Sequence, residues 1–373
     1  MNNPLWSTPG VAGIRHFGRE VGAWSLSPDD QWLAFGDALP GTSGQSLLHC
    51  VEIATGRAVV SVPGGEVKAL GWASPELLLV VRAQGTANSR LVAHAIPDGG
   101  VTGSVALENL SGFRARMSLA QGGAVALVTP PRWRAQSRQH ARKVLGYVVR
   151  TDPLEVARVL DPDELGVVHR IYEVRETLAE LAPDGTRIAL WYGPPSAHGP
   201  SPGTLVLHDW QAQKSAKVCE AGASVVELLW TDARTIALRS VMETDSMREV
   251  MRRGDLTVVD LELNRDPIIH DTTGEDPKGW GWMGGRATMD LHPDRQRLLV
   301  AGRVVKERGR RAASTEGDED PTTAPLDWTG ALRVIDLESG LATGRAEVTS
   351  RVEIAVLPMP AGPARMPALI RRP

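Results

Sequence analysis

Residues 178–191 read LAELAPDGTRIALW, and this stretch contains the unit from which most of the chain is built. Two short apolar runs flank the tetrapeptide Ala-Pro-Asp-Gly. Proline pre-sets the backbone for the second position of a turn, and aspartate bonds the backbone ahead of it. The stretch therefore predicts two antiparallel β-strands joined by a tight turn.

The same pattern recurs along the chain, which indicates an internal repeat. The other copies are GAWSLSPDDQWLAFG (22–36), ALGWASPELLLVV (69–81), RMSLAQGGAVALV (116–128), ELLWTDARTIAL (227–238) and TMDLHPDRQRLLVAG (288–302). Each copy is followed by a second pair of apolar runs, as in LLHCVEIATGRAVVSV (47–62) and LRVIDLESGLATGRA (332–346). Pro28 and Pro293 mark turns five repeats apart, so one repeat averages about 53 residues. Four strands with their turns need roughly 40–45 residues, and the excess is insertion.

Four-stranded antiparallel sheets that stack radially bury both faces and form the blades of a β-propeller. The C-terminal stretches RVEIAVLPM (351–359) and RMPALIRRP (365–373) resemble the first two strands of a further blade. The N-terminal PLWS and VAGIRHF could supply its last two strands. We therefore expect one all-β domain over residues 1–373: a propeller of seven four-stranded antiparallel blades, closed by a composite blade from both termini. Six blades is the alternative.

Composition restricts the partners and the compartment. A formal net charge of −3 gives no global field that would attract nucleic acid or an anionic membrane. Cys50 and Cys219 lie in apolar stretches nearly half a chain apart without metal or redox spacing, so we expect two buried, reduced thiols. The N-terminus lacks the features of a secretion signal, and the longest aliphatic run is Leu77–Val81. These features favour a cytoplasmic protein without membrane contact.

The Pro-Asp turns, together with VVDLELN (258–264) and VIDLESG (334–340), resemble the repeats of WD-repeat and TolB-like β-propeller proteins over residues ~20–347. The chain lacks the Gly-His and Trp-Asp dipeptides at their usual WD-repeat positions, so the divergent TolB-like form fits better. The C-terminal MPALIRRP is also similar to the strand that leads from propeller to hydrolase domain in the prolyl-oligopeptidase family. This resemblance implies a propeller fold, and no peptidase activity is expected from this chain.

The longest insertions all fall between the second and third strands of a repeat. They cover residues 129–143, 193–203, 240–254 and 303–330, in the third to sixth repeats. In a four-stranded meander these loops lie at one end of each sheet, so they would crowd one face of a propeller. Loops on a rigid scaffold are where binding usually resides. We therefore expect a protein-binding face, with tolerated surface insertion as the alternative. Residues 303–330 have almost no apolar side chains and are expected to be disordered.

Two tryptophan-containing segments are the candidate partner-binding residues. Arg132, Trp133 and Arg134 lie in the third-repeat insertion, where a solvated hairpin tip is the alternative interpretation. Trp280 and Trp282 lie among glycines in the connection into the sixth repeat. The tryptophans expected in blade packing are Trp24, Trp32, Trp72, Trp191, Trp210 and Trp230; those outside the strand pattern are Trp6, Trp133, Trp280, Trp282 and Trp328. Tryptophan is enriched in binding hot spots, and we favour a protein partner over nucleic acid.

Motifs for catalysis are absent from the sequence: no Gly-x-Ser-x-Gly, P-loop, His-Glu-x-x-His or paired Cys-x-x-Cys occurs. Glu180 and Asp290 precede equivalent leucines and are candidate carboxylates at a central channel. The adjacent Arg175 and Arg286 offer them ordinary ion-pair partners. We expect no catalytic residue, cofactor or metal. The leading hypothesis is a non-catalytic scaffold, possible in a multi-protein bacterial system; the alternative is a lactonase-like or other metal-dependent hydrolase that acts on a small molecule in the channel.

Overall fold

The computed structural model is built from β-strands and turns, and no helix occurs in the part of the chain that it describes. That part comprises residues 21–38, 44–84, 88–110, 115–130, 133–134, 144–162, 164–165, 176–193, 202–223, 225–240, 255–262, 268–271, 288–291, 297–305, 328–336, 342–348, 352–355 and 368–371. Within these ranges no helical segment with the length and apolarity of a membrane span is found.

The described strands form six sheets of four or five strands and one pair. Sheet 1 contains β1 (Val21–Leu26), β2 (Trp32–Ala38), β3 (Gln45–Glu52) and β4 (Ala58–Gly65). Sheet 2 contains β5 (Val67–Ser74), β6 (Leu77–Gln84), β7 (Asn88–Ala95) and β8 (Val101–Leu107). Sheet 3 contains β9 (Arg116–Leu119), β10 (Val125–Thr129), β12 (Gly146–Thr151) and β13 (Leu154–Leu160). Sheet 4 contains β11 (Trp133–Arg134), β14 (Glu176–Leu181), β15 (Arg187–Gly193), β16 (Pro202–Asp209) and β17 (Lys214–Ala223).

The later sheets follow the same order. Sheet 5 contains β18 (Val225–Trp230), β19 (Thr235–Ser240), β20 (Asp255–Asp260) and β21 (Ile268–Asp271). Sheet 6 contains β22 (Thr288–Leu291), β23 (Arg297–Val305), β24 (Trp328–Asp336) and β25 (Ala342–Val348). Sheet 7 contains β26 (Val352–Ala355) and β27 (Ala368–Arg371). Sheets 1 to 4 lie in one compact unit and sheets 5 to 7 in another.

The Ala-Pro-Asp-Gly turn of sheet 4 forms as the sequence predicts. Leu181 on β14 pairs with Ile188 on β15, so the turn closes a regular antiparallel hairpin. The Asp184 carboxylate accepts a hydrogen bond of 2.9 Å from the backbone N–H of Thr186. Gly185 has φ of +73°, in the left-handed region that glycine adopts without strain. The six predicted repeats are confirmed as four-stranded antiparallel meanders, with β11 as an additional strand at the edge of sheet 4.

In the first unit, consecutive sheets pack face to face. Along β6, Leu78 and Val80 join a buried cluster with Leu48 of sheet 1, whereas Leu79 and Val81 join one with Val128 of sheet 3. Successive side chains of a strand point to opposite faces, so a continuous apolar run marks a sheet buried on both sides. A third cluster joins sheets 3 and 4. This stacking is the arrangement expected of propeller blades.

Sheet 7 corresponds to the predicted start of a further blade. Val352 pairs with Arg371 and Ala355 with Ala368, so the two C-terminal stretches form an antiparallel pair. In the second unit β18 lies beside β22, and β22 beside β26, so the first strands of successive sheets are neighbours. The N-terminal stretches expected to complete this blade fall in residues 1–20, which lie outside the described residues.

The sixth-repeat insertion is shorter than its predicted bounds. β23 continues to Val305 and β24 begins at Trp328, and these two residues pair. Trp328 was expected outside the strand pattern, but the structure places it at the start of a strand because the hairpin extends further. The segment 306–327, where disorder was expected, lies outside the described residues. Both cysteines are free thiols. Cys50 is buried as predicted, whereas the predicted burial of Cys219 is wrong: its strand leaves it partly exposed.

Candidate interaction site

Each long insertion lies between the second and third strands of its sheet, as the sequence predicts. In sheets 3 and 4 the insertions run from Thr129 to Gly146 and from Gly193 to Pro202. In sheets 5 and 6 they follow Ser240 and Val305 in the same position. The same connections have six residues in sheet 1 and three in sheet 2, against eight in sheet 4 and more in sheets 3, 5 and 6. In each of sheets 3 to 6, therefore, the extra chain is placed at the same end of the meander.

The insertion of sheet 3 contributes a strand to sheet 4. Trp133 pairs with Thr177 and Arg134 with Glu176. β11 therefore lies along the edge of β14 opposite β15, and sheet 4 has five strands. Two of the candidate binding residues thus lie in an ordered strand, and the hairpin-tip alternative does not describe them. Arg132 lies outside the described residues. No sequence pattern predicts this pairing, because the strand is only two residues long and its partner follows about forty residues later.

The side of β14 that faces away from β15, residues 177–181, is called the free edge of β14; all five residues are buried. The backbone N–H of Leu181 donates a hydrogen bond of 3.1 Å to the Ser118 hydroxyl of sheet 3. Because backbone groups alternate in direction along a strand, Ala179 and Thr177 also present theirs on this edge. Thr177 is opposite Trp133 of β11. The free edge is therefore covered at both ends, and Ala179 lies between the two covers.

Two buried hydroxyl groups lie at the insertion ends of their sheets. Thr177 and Ser240 are each 2% exposed, and neither hydroxyl finds a hydrogen-bond partner within the described part of the chain. Thr177 is opposite β11, and Ser240 is the last residue before the insertion of sheet 5. A buried hydroxyl without a partner costs free energy. These two positions are thus places where an added hydrogen-bonding group would stabilise the structure.

The candidate channel carboxylate Glu180 is held by an ion pair between neighbouring sheets. Nη2 of Arg116, on β9, lies 2.8 Å from Oε2 of Glu180, on β14. The predicted partner Arg175 lies outside the described residues; the observed partner comes from 64 residues earlier in the chain, which sequence proximity could not indicate. The Glu180 carboxylate therefore links β14 to β9. Asp290 lies on β22, opposite Leu299, and its predicted ion-pair partner Arg286 lies outside the described residues.

Polar groups are also buried within sheets 1 and 2. Arg82 is 8% exposed, and its guanidinium donates hydrogen bonds to the carbonyls of Val62 and Gly65, at 3.1 Å each. His94 Nδ1 lies 3.2 Å from the carbonyl of Gly99. Burial lowers the pKa of His94, and the nearby Arg82 charge lowers it further. Burial also raises the pKa of the Cys50 thiol to about 12, which keeps it protonated and unreactive.

A groove of about 430 Å³ runs along β13, the outer strand of sheet 3. Arg158 and Glu164 line it and form an ion pair of 2.6 Å. Val159, which is 42% exposed, adds an apolar surface. Among the described residues, no group of three or more histidine, cysteine, aspartate or glutamate side chains is placed to hold a metal ion. Trp280 and Trp282 lie outside the described residues.

Comparison with known proteins identifies similarities of fold. No family model and no curated protein matches the chain. A prolyl endopeptidase structure matches with a TM-score of 0.53 and 11% identity, over 90% of this chain and 44% of that one. TolB from Acinetobacter baumannii gives 0.37 and 14%, over 66% and 53% of the two chains. The Dos1 propeller gives 0.42 and 11%, over 76% of each.

These identities are low, so the similarity concerns the fold alone. This chain spans less than half of the prolyl endopeptidase, whose TM-score is the one above 0.5 among these three. The C-terminal MPALIRRP resembles the strand that leads from propeller to hydrolase domain in the prolyl-oligopeptidase family. Together with the face-to-face stacking of four-stranded meanders in the first unit, this similarity supports an all-β protein of the β-propeller type.

Proposed function

We propose that this protein is a non-catalytic β-propeller scaffold that binds other proteins through the insertions of sheets 3 to 6. The observation that carries the proposal is the position of these insertions, each between the second and third strands of its sheet. In a propeller, equivalent connections of successive blades lie on one face. Four extended connections in consecutive sheets would give that face a continuous surface of loops, which is where scaffolds commonly bind.

The proposal includes a closed ring of seven blades in a single domain, with residues 1–20 completing the sheet of β26 and β27. Phe35 and Val51, on the face of sheet 1 turned away from sheet 2, are both 1% exposed. Their burial supports a neighbouring blade on that side. Closure would also remove the exposed edge strands that promote aggregation. A six-bladed ring is the alternative that the same repeats allow.

The proposed binding residues are Trp280 and Trp282, together with Arg132, Trp133 and Arg134. Tryptophan and arginine dominate the energetics of protein interfaces because they combine a large contact area with directed polar groups. The net charge of −3 favours a protein partner over nucleic acid. The proposal takes the cytoplasm as the location, in keeping with two free cysteines.

The test is quantitative capture of partners by the immobilised full chain from lysate of its source cells. One variant carries Trp280→Ala and Trp282→Ala; another has residues 135–142 replaced by a Gly-Ser linker, which leaves β11 intact. Loss of a hot-spot tryptophan costs about 2 kcal/mol or more, so specific partners should be captured at least tenfold less.

The matched control changes the opposite end of the same meanders. Asp98→Ala and Gln211→Ala alter exposed residues of the turns between the third and fourth strands of sheets 2 and 4. They should leave capture unchanged. Equal capture by the tryptophan variant, the 135–142 variant and the wild type would contradict the proposed function.

A further inference from the structure

We propose that the outer edge of β8 binds a second copy of this chain, and that the two β8 strands pair antiparallel about a twofold axis at Ser104. The outer edge of β8 is the side of residues 101–107 that faces away from β7. In such a dimer the same surface is used by both subunits. This inference goes beyond the proposed function and does not depend on it, because β8 belongs to none of the insertions of sheets 3 to 6.

The first step is that this edge is accessible. β8 is the last strand in the order β5-β6-β7-β8, so sheet 2 supplies no neighbour on its outer side. Four of its seven residues are exposed: Val101, Thr102, Ser104 and Ala106. Val101 is 62% exposed, which is the highest value among the large hydrophobic residues that the structure describes. The outer edge of β8 can therefore be reached by another chain.

The second step is the direction of the backbone groups. The N–H of Ala95 donates a hydrogen bond of 2.8 Å to the carbonyl of Gly100, so Gly100 faces β7. The register between β7 and β8 then shifts by one residue, and hydrogen-bonding positions alternate along an antiparallel strand. The odd-numbered residues from 103 to 107 therefore bond to β7. Ser104 and Ala106 direct their N–H and C=O groups outward, where they can pair with an added strand.

The third step is the composition of β8 compared with that of the other outer strands. Natural proteins protect the edges of sheets with charged residues or proline, which prevent pairing with another chain. The strand VTGSVAL contains neither. The outer strands of the other four- and five-stranded sheets all do: Pro63 in β4, Glu155 and Arg158 in β13, Lys214, Lys217 and Glu220 in β17, Asp271 in β21, and Arg345 and Glu347 in β25. Among the strands that the structure describes, β8 is thus the outer strand without this protection.

The fourth step is that β8 is compatible with a second copy of itself. A pair centred on Ser104 sets Val101 opposite the partner's Leu107, so the most exposed apolar residue gains an apolar neighbour. Glu108, just after the strand, would lie opposite the partner's Gly100. Like charges on facing residues destabilise antiparallel pairs, and this register sets none against each other. The outward N–H and C=O groups of Ser104 in the two copies would form a reciprocal pair of hydrogen bonds.

The experiment measures the dimerisation of the full chain by analytical ultracentrifugation. One strand pair buries less than the roughly 1,600 Å² of a standard interface, so we expect a weak dimer that forms at about 100 μM and dissociates on dilution. Ser104→Lys and Ser104→Glu should each weaken it at least tenfold, because like charges then face each other on the axis. An equimolar mixture of these two variants should dimerise again, because the facing charges are now opposite.

A cysteine on the axis tests the register. Ser104→Cys is made in a Cys219→Ser background, in which the remaining Cys50 is buried. Directly opposite residues of a hydrogen-bonded pair have Cα atoms about 5.5 Å apart, which suits a disulfide bond. Mild oxidation should therefore join two chains covalently. The matched controls change Ala216, an exposed residue of β17: Ala216→Lys should leave dimerisation unchanged, and Ala216→Cys in the same background should not crosslink.

The inference is overturned if the wild type is a monomer at about 100 μM. It is also overturned if Ser104→Lys dimerises as the wild type does, if the mixture of Ser104→Lys and Ser104→Glu stays monomeric, or if Ser104→Cys crosslinks no better than Ala216→Cys. Thermal melting of each variant confirms that it is folded. Partner capture by the insertion variants is measured separately, so loss of the dimer would leave the proposed function standing.

Discussion

At the scale of single residues, His94 shows how a buried position sets the response to pH. His94 is 1% exposed. Its Nδ1 lies 3.2 Å from the carbonyl oxygen of Gly99, and its Nε2 has no hydrogen-bond partner in the described structure. Burial and Arg82 both disfavour the imidazolium, so the pKa of His94 lies below its usual value of 6.5. Between the two pKa values, the unfolded chain therefore protonates this imidazole while the folded protein keeps it neutral.

We predict that His94 lowers the free energy of unfolding as the pH falls below about 6.5. The stability is present above the unfolded-state pKa and is lost as the pH falls towards the lower folded-state pKa. His94→Leu should lose less stability than the wild type between pH 7 and pH 5, as measured by urea unfolding. His208 has a lowered pKa through burial as well, so His208→Leu gives the comparison for a second buried site. An identical loss in His94→Leu and the wild type would rule out this role.

Substitutions at two adjacent glycines would distinguish the cost of backbone strain from the cost of steric contact. Gly122 and Gly123 have φ of +82° and +72°. A Cβ atom on Gly123 would lie 1.8 Å from the carbonyl oxygen of Ala73 in the neighbouring sheet, whereas one on Gly122 would meet no atom within 4 Å. We predict that Gly122→Ala costs about 1 kcal/mol of stability and Gly123→Ala at least ~3 kcal/mol. Equal costs in chemical denaturation would show that the sheets are not in close contact here.

At the scale of strands and sheets, the strand order within each meander can be predicted from local sequence, whereas the contacts between sheets cannot. The run LLLVV predicts a strand buried on both faces, and β6 is such a strand. The Pro-Asp turns set which strands are neighbours. β11 has no such signal, because two residues carry no periodicity and the free edge of β14 is defined only after sheets 3 and 4 have packed.

The same limit applies to the candidate site. Trp133 and Arg134 are distinctive in the sequence, but their pairing with β14 depends on backbone groups rather than on residue type. Arg116 opens an ordinary strand, and its partner Glu180 becomes visible only in three dimensions. The sequence therefore indicated which segments are elaborated, while packing determined what they contact.

The ion pair between β9 and β14 gives a prediction at this scale. Arg116 and Glu180 are largely removed from solvent, with side chains 28% and 12% exposed, so their attraction is less screened than that of a surface pair. We expect a double-mutant cycle with Arg116→Ala and Glu180→Ala to give a coupling free energy of about 1–2 kcal/mol. The exposed pair Arg150–Glu155, at 55% and 47%, serves as the control and should give no more than about 0.5 kcal/mol. Similar coupling for both pairs would contradict a special role for the first.

At the scale of the whole molecule, the proposed ring depends on how the termini meet. The described residues form six sheets of four or five strands plus the strand pair β26 and β27. Two strands alone are marginally stable in water and need further partners. The proposed source of these partners is the N-terminal segment, which would join the two ends of the chain.

We predict that removal of residues 1–20 increases amide hydrogen exchange in β26 and β27 by at least tenfold. The reason is that the composite blade would lose its other two strands. Exchange in β6 and β10, in the interior of the first unit, should change little and serves as the internal control. Unchanged exchange in β26 and β27, measured by mass spectrometry, would favour a ring that closes without the N-terminus.

The central claim is that the insertions of sheets 3 to 6 form the surface that binds a protein partner. Its most direct test places a photo-crosslinking amino acid at Ser137 or Trp282, in the elaborated connections, and at Asp98 or Gln211, at the other end of the meanders. The captured partner is then identified by mass spectrometry after irradiation. The account predicts that the same partner is crosslinked from Ser137 and Trp282 and not from Asp98 or Gln211. Crosslinking from Asp98 and Gln211 alone would contradict it.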